Sequence, residues 1–182
     1  MTLELVFIGL LGLAIGSFLN VCIHRLPRQE SIVHPPSRCP GCGASIRAWD
    51  NIPILSYLIL AGKCRACKKR ISLRYPLVEA LNGVLFVLVY LRYGTGWHLP
   101  VLLAFVSSLI VITFIDLDFQ IIPDRISLPW IAIGLIASAT VLPDPFMRSE
   151  SMGWANSLMG AAAGFVLFLF IVIASRGGMG MG

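Results

Sequence analysis

Charged residues are scarce in this 182-residue chain. They make up 13% of it, and only nine are acidic, where a soluble domain carries about 25% charged residues. That shortage excludes an ordinary water-soluble globular domain. A basic segment ahead of the first apolar run is also missing. Glu4 stands there instead, which argues against a cleavable signal peptide. No internal repeat and no low-complexity tract is evident, apart from the glycine-rich stretch 177–182. What the chain has in abundance is apolar sequence: 57% hydrophobic residues and a mean hydropathy of +0.85. The composition is that of an all-α polytopic membrane protein.

Five apolar runs stand out: Leu3–Ile23, Leu77–Leu91, Leu99–Ile115, Ile126–Leu142 and Asn156–Ser175. A helix crosses a bilayer with roughly 17–25 residues. The first and last runs meet that length, and the middle ones need flanking residues such as Tyr75, Pro76 and Tyr93. All five are expected to be transmembrane helices, the second being the shortest. The chain therefore divides into a first span (1–23), a polar loop (24–75) and a membrane core (76–182).

Ten of the fourteen Lys and Arg residues lie between Arg25 and Arg74. Arg125 and Arg176 follow the third and fifth runs on the same side, while Arg92 and Arg148 fall on the other. The positive-inside rule then places the large loop and the C-terminus in the cytoplasm and the N-terminus outside. The formal charge of +5 is mostly this topology signal, and it also favours anionic membrane lipid. A nucleic-acid partner has nothing behind it beyond the charge of the loop.

The loop carries Cys39-Pro-Gly-Cys42 and Cys64-Arg-Ala-Cys67, with 21 residues between the pairs. Two such knuckles match a tetrahedral four-cysteine zinc site. The alternatives are two disulfides or free thiols, and a cytoplasmic location disfavours the disulfides. Four sulfurs leave no open coordination position, so the metal would be structural. His24 and His34 are then bystanders, and Cys22 reads as a small buried apolar residue. Gly41 and Gly43 permit tight turns, and Lys68-Lys-Arg70 would offset thiolate charge.

Three of the nine acids, Asp116, Asp118 and Asp124, fall within nine residues at the end of the third run. Ionisable groups at the edge of hydrocarbon are costly and usually functional. Asn20, Glu79 and Asp116 belong to different spans but to the same membrane edge. Asn20 reads as an interhelical hydrogen-bonding group. Glu79 is balanced between structure and function. Asp116 is too short to snorkel and reads as functional. Two neighbouring carboxylates can share a proton and act as acid and base on a peptide carbonyl. Asp118 points about 200° away on a helix, and Asp124 can equally begin the next helix as a cap.

Taken together, these motifs resemble the type IV prepilin peptidases, polytopic aspartic proteases of the bacterial inner membrane. The resemblance runs in order through Gly16-Ser-Phe-Leu-Asn-Val-Cys-Ile-His-Arg-Leu-Pro27, the two CxxC knuckles, Asn51-Ile-Pro-Ile-Leu-Ser56, Arg74-Tyr-Pro-Leu-Val-Glu79 and Ile115-Asp-Leu-Asp-Phe-Gln-Ile-Ile-Pro-Asp124. It implies that Asp116 is the first catalytic aspartate. It also implies that the substrate is a prepilin or type II secretion pseudopilin, cut after glycine on the cytoplasmic side. Many members also N-methylate the new N-terminus with S-adenosylmethionine. The family usually has eight spans, and its second catalytic aspartate lies in a Gly-x-Gly-Asp motif. Gly178, Gly180 and Gly182 match the approach to that motif, and the sequence stops before the aspartate. The expectation is a truncated chain without proteolytic activity; the alternative reading of these glycines is a flexible tail. The competing function is a non-enzymatic membrane scaffold whose zinc loop docks a cytoplasmic partner. A transporter ranks below both, because the polar groups gather at one leaflet. Oligomeric state is left open.

Overall fold

A computed structural model describes residues 2–143 and 153–175. Gly178, Gly180 and Gly182, and with them Arg148 and Arg176, lie outside the described residues. Each apolar run has become a helix, as lipid demands: only a helix satisfies every backbone N–H and C=O within one segment. The elements are α1 (Thr2–Arg25), α2 (Leu55–Ile59), α3 (Arg74–Tyr93), α4 (His98–Phe119), α5 (Asp124–Thr140) and α6 (Trp154–Ala174). Two isolated β bridges, Arg38–Ser45 and Lys63–Arg70, lie in the loop.

Four helices, α1, α3, α4 and α6, are long and apolar enough to cross a membrane. The second run, the shortest by composition, gains Arg74–Pro76 and Arg92–Tyr93 to reach 20 residues. Pro76 costs little there, because first-turn amides have no helical partner. The fourth run gives the shorter helix. α5 has 17 residues, with Pro129 inside it, and spans roughly 25 Å at 1.5 Å per residue.

The centre of the molecule is the α1–α3–α4 bundle. Lipid supplies no hydrophobic force between helices, so close packing and polar contacts must hold them. α1 meets α3 through glycine: a Cβ on Gly12 would lie 2.8 Å from Gly83 Cα, and one on Gly16 would lie 2.7 Å from Glu79 Cα. Asn82 is completely buried and joins all three helices. Its Nδ2 donates to Gly12 O at 2.7 Å, and its Oδ1 accepts from Ser107 Oγ at 3.0 Å. Toward the α1 N-terminus, Tyr90 Oη donates to Glu4 Oε2 at 2.6 Å. Leu19, Ile23, Val78, Ile110 and Ile115 fill the seam nearer the loop. Beyond this bundle, α5 reaches α4 through the Phe105–Trp130 ring contact, and α6 packs against α5.

Gly12→Val places two methyl groups where backbone already stands. Overpacking of this kind costs about 1–3 kcal/mol. Gly12→Val should therefore lower the unfolding midpoint in detergent, whereas Gly134→Ala, with open space around its Cβ position, should hold or raise it.

Candidate metal centre and acidic site

The two cysteine knuckles have the same backbone. Cys39 N donates to Ala44 O and Gly43 N to Cys39 O. Twenty-five residues on, Cys64 N donates to Lys69 O and Lys68 N to Cys64 O. Bridges Arg38–Ser45 and Lys63–Arg70 close the two turns at the same offset. The fifth position of each turn has positive φ, +71° at Gly43 and +60° at Lys68. The loop thus holds a local repeat that the sequence reading missed, because glycine fills that position in one copy and lysine in the other.

These turns bring the Sγ atoms of Cys39, Cys42, Cys64 and Cys67 within 4.8 Å of one another. Cys39 and Cys67 Sγ are 3.8 Å apart, far beyond a disulfide bond, and all four thiols are free. Metal–sulfur bonds near 2.3 Å in a tetrahedron require sulfur–sulfur distances of about 3.8 Å, so the donor set fits a four-sulfur metal site. Gly41 N donates to Cys39 Sγ. The Gly41 and Cys42 amides, with Cys64, lower the Cys39 thiol to about 6. The Ala44 amide favours a Cys42 thiolate, but Cys67, burial and Cys39 outweigh it and push that thiol up to about 11. Thiols so close resist multiple ionisation unless a cation joins them. Beside them Arg65 grips Asp50 with Nη2–Oδ1 at 2.6 Å and Nε–Oδ2 at 2.9 Å. That guanidinium holds the Asp50 carboxyl below its ordinary range.

Glu79 couples this loop to the bundle. It is buried in the second turn of α3, and its Oε2 accepts from Ile54 N at 2.7 Å. Ile54 has φ +59° and ψ −50°, an outlying conformation for a β-branched residue. Strain of this kind persists only where surroundings hold it. Glu79→Ala should loosen the Pro53–Ile54 turn. Loss of one hydrogen bond worth about 1 kcal/mol should raise amide exchange at Ile54 about fivefold. Glu79→Gln keeps an acceptor and should change the exchange little.

The remaining polar groups meet at the same end of the bundle. Asn20 Nδ2 donates to Tyr75 O at 3.2 Å and more weakly to Gly16 O, the interhelical role expected of it. Arg74, at the start of α3, reaches the end of α4. It donates to Phe114 O at 2.9 Å and to Asp118 Oδ2 at 2.5 Å, and its guanidinium lies 4.9 Å from the centre of the Phe114 ring. Arg28, at the other side, sits 5.3 Å from the Phe119 ring centre.

Asp118 is therefore neutralised by a cation and tied into the helix packing. Asp116 is different. It lies in the last turn of α4, where Gln120 N caps its carbonyl at 2.8 Å. Its side chain is exposed, and no described residue bonds its carboxylate. Asp124 is the first residue of α5, inside the helix and behind Pro123, which holds the N-cap position. Asn82, Ser107 and the pairing role of Arg74 escaped the sequence reading. A polar Asn inside the second apolar run was a visible signal; the Arg74–Asp118 pairing, between residues 44 apart, had none.

Comparison with known proteins matches the sequence to a protease family. Residues 10–93 match the bacterial peptidase A24 N-terminal domain, and residues 103–182 match the type IV leader peptidase family. A prepilin leader peptidase/N-methyltransferase from Neisseria gonorrhoeae is 39% identical over 96% of this chain and 68% of its own length. The chain belongs to the type IV leader peptidase family. A relative of the same description from Dichelobacter nodosus is 38% identical over 99% of the chain and 71% of its own length. One from Myxococcus xanthus is 44% identical over 90% of the chain but only 46% of the relative. The chain thus spans about half to two thirds of the length of many of these relatives. No solved structure matches it significantly. In this leader peptidase chain the N-terminal match covers most of α1, the cysteine loop and α3. The second match covers most of α4 and everything after it.

Proposed function

We propose that the whole protein is a membrane aspartic endopeptidase of the inner membrane. It removes the basic leader of type IV prepilins or type II secretion pseudopilins after glycine, on the cytoplasmic side. Asp116 supplies one carboxylate of the catalytic pair. The observation that carries this reading is the contrast between two aspartates on one helical turn. Arg74 satisfies Asp118, while Asp116 is exposed at a helix C-terminus, where the helix dipole disfavours a negative charge. A carboxylate kept there without a partner among the described residues is held at a cost that catalysis explains. The lysine and arginine distribution supports the cytoplasmic side, and the named activity of the relatives supports the substrate class.

In this reading the four cysteines hold a structural zinc ion. The metal fixes the two knuckles to each other, and Glu79 transmits that order to α3. Zinc takes no part in peptide cleavage, because four sulfurs leave no position for water. A carboxylate beside the scissile carbonyl activates water, and its proton-sharing partner donates to the departing amine. The names of the relatives also support N-methylation of the new N-terminus from S-adenosylmethionine. No residue of this chain is assigned to that step.

The test is direct. Protein expressed from its full reading frame is mixed in detergent with a purified prepilin, and the product is read by mass spectrometry. Loss of the leader at glycine is expected, with one added methyl group when S-adenosylmethionine is present. An unprocessed prepilin would overturn the reading.

A further inference from the structure

One apolar surface outside the bundle is left uncovered by the proposed function. α2 is a short amphipathic α-helix inside a mostly polar loop. Its inner side is fastened: Ser56 Oγ donates to Trp49 O at 2.8 Å and accepts from Ile52 N at 3.0 Å. Tyr57 Oη donates to Ile71 O at 3.4 Å, beside the second knuckle. Its outer side carries Leu55, Leu58 and Ile59, which are 50%, 66% and 69% exposed. A loop in water has no reason to hold three large aliphatic side chains outward on one helical face.

The depth of α2 gives the reason. The amide immediately before it, Ile54 N, is bonded to Glu79, six residues into a 20-residue membrane helix. At 1.5 Å per residue α3 is about 30 Å long, close to the thickness of the hydrocarbon layer. The start of α2 therefore lies within about two turns of the α3 end, at the boundary between acyl chains and headgroups. The lipid-facing stripe of α3 reaches the same level. It runs from Leu91 through Leu88, Val84 and Leu81 to Leu77, all exposed, and continues to Leu73 just before the helix. Charge agrees with depth. Residues 24–75 hold ten Lys and Arg against two acids, Glu30 and Asp50. Lys63, Lys68, Lys69 and Arg70 of the second knuckle are exposed, and basic segments beside a span are drawn to anionic headgroups.

We propose that α2 is an interfacial helix seated in the anionic phospholipid leaflet that receives the Arg25 and Arg74 helix ends. Leu55, Leu58 and Ile59 enter the acyl-chain boundary, so the four-cysteine loop lies down on the bilayer. The assignment does not depend on the reaction the protein performs. Its consequence is that the metal centre is fixed at the membrane surface beside Asp116's end of the bundle.

The experiment uses protein from the full reading frame in which every native tryptophan is replaced by phenylalanine and Leu58→Trp supplies the single fluorophore. It is reconstituted in phosphatidylethanolamine–phosphatidylglycerol vesicles with and without acyl-chain-brominated lipid. An interfacial helix buries its apolar face about 5–10 Å deep, so brominated lipid is expected to quench roughly half of the emission, and aqueous acrylamide much less. Quenching by acrylamide but not by lipid would place the face in water. Quenching by neither would place it under other protein, either further spans or a docked partner. Both results overturn the proposal. Retention of bound metal reports that the variant is folded. Ile59→Trp, on the same exposed face, takes its place if Leu58→Trp loses the metal.

Discussion

Stripping the proposed zinc from the cysteine loop should unfold that loop and leave the helical bundle standing. Residues 24–75 contain few buried side chains; Ser56 is the buried residue of α2, and the apolar residues of that helix point outward. Their order rests instead on two turns whose four thiols converge. Structural zinc contributes about 10–16 kcal/mol of apparent binding free energy in small zinc-finger peptides, more than the stability of many whole domains. Cys64→Ser, or a strong chelator, should therefore abolish stoichiometric metal and open residues between Ser31 and Ser72 to protease. The α1–α3–α4 bundle, held by Gly12, Asn82 and Ser107, should keep its helical signal. Cys22→Ser should keep the metal, because Cys22 packs in the bundle seam with Leu19 and Ile23. Metal content by elemental analysis and limited proteolysis read both outcomes. Unchanged proteolysis after complete loss of metal would remove the structural role.

Asp116→Asn should abolish leader cleavage without lowering stability. General acid–base groups contribute about 10²–10⁴-fold to rate, and losing one half of a proton-sharing pair disables both halves. The same substitution removes a negative charge from a helix C-terminus. That position disfavours an exposed carboxylate by about 0.3–1 kcal/mol, so the unfolding midpoint should stay level or rise slightly. A residue kept for packing would show the opposite pattern. Asp118→Asn breaks an ion pair with Arg74 that is partly open to solvent. Such pairs contribute about 0–1 kcal/mol, so its effect on cleavage should be a few-fold at most.

Most of the fold was legible because lipid leaves so few choices. Five apolar runs became five helices, whose ends lie within four residues of the expected ones. The cysteine spacing was equally readable, since sulfur pairs three residues apart constrain the turn locally. What sequence could not carry was contact between distant residues. Asn82 sits beside Gly12 because glycine lets two backbones touch, and the pairing exists only once α1 and α3 have met. Arg74 separates Asp118 from Asp116 across 44 positions of chain, so the two acids look alike in sequence and differ in the structure. The repeat of the knuckles was hidden for a local reason: backbone geometry is shared at positions 43 and 68, but glycine and lysine bear no resemblance as side chains.

The difference between those two aspartates is the central claim. The deciding measurement is the initial rate of prepilin cleavage by Asp116→Asn and Asp118→Asn proteins made from the full reading frame, at matched metal content. The account predicts that Asp116→Asn falls at least about 100-fold while Asp118→Asn stays within a few-fold of the unsubstituted protein. Equal rates for the two, or a working Asp116→Asn enzyme, would contradict it.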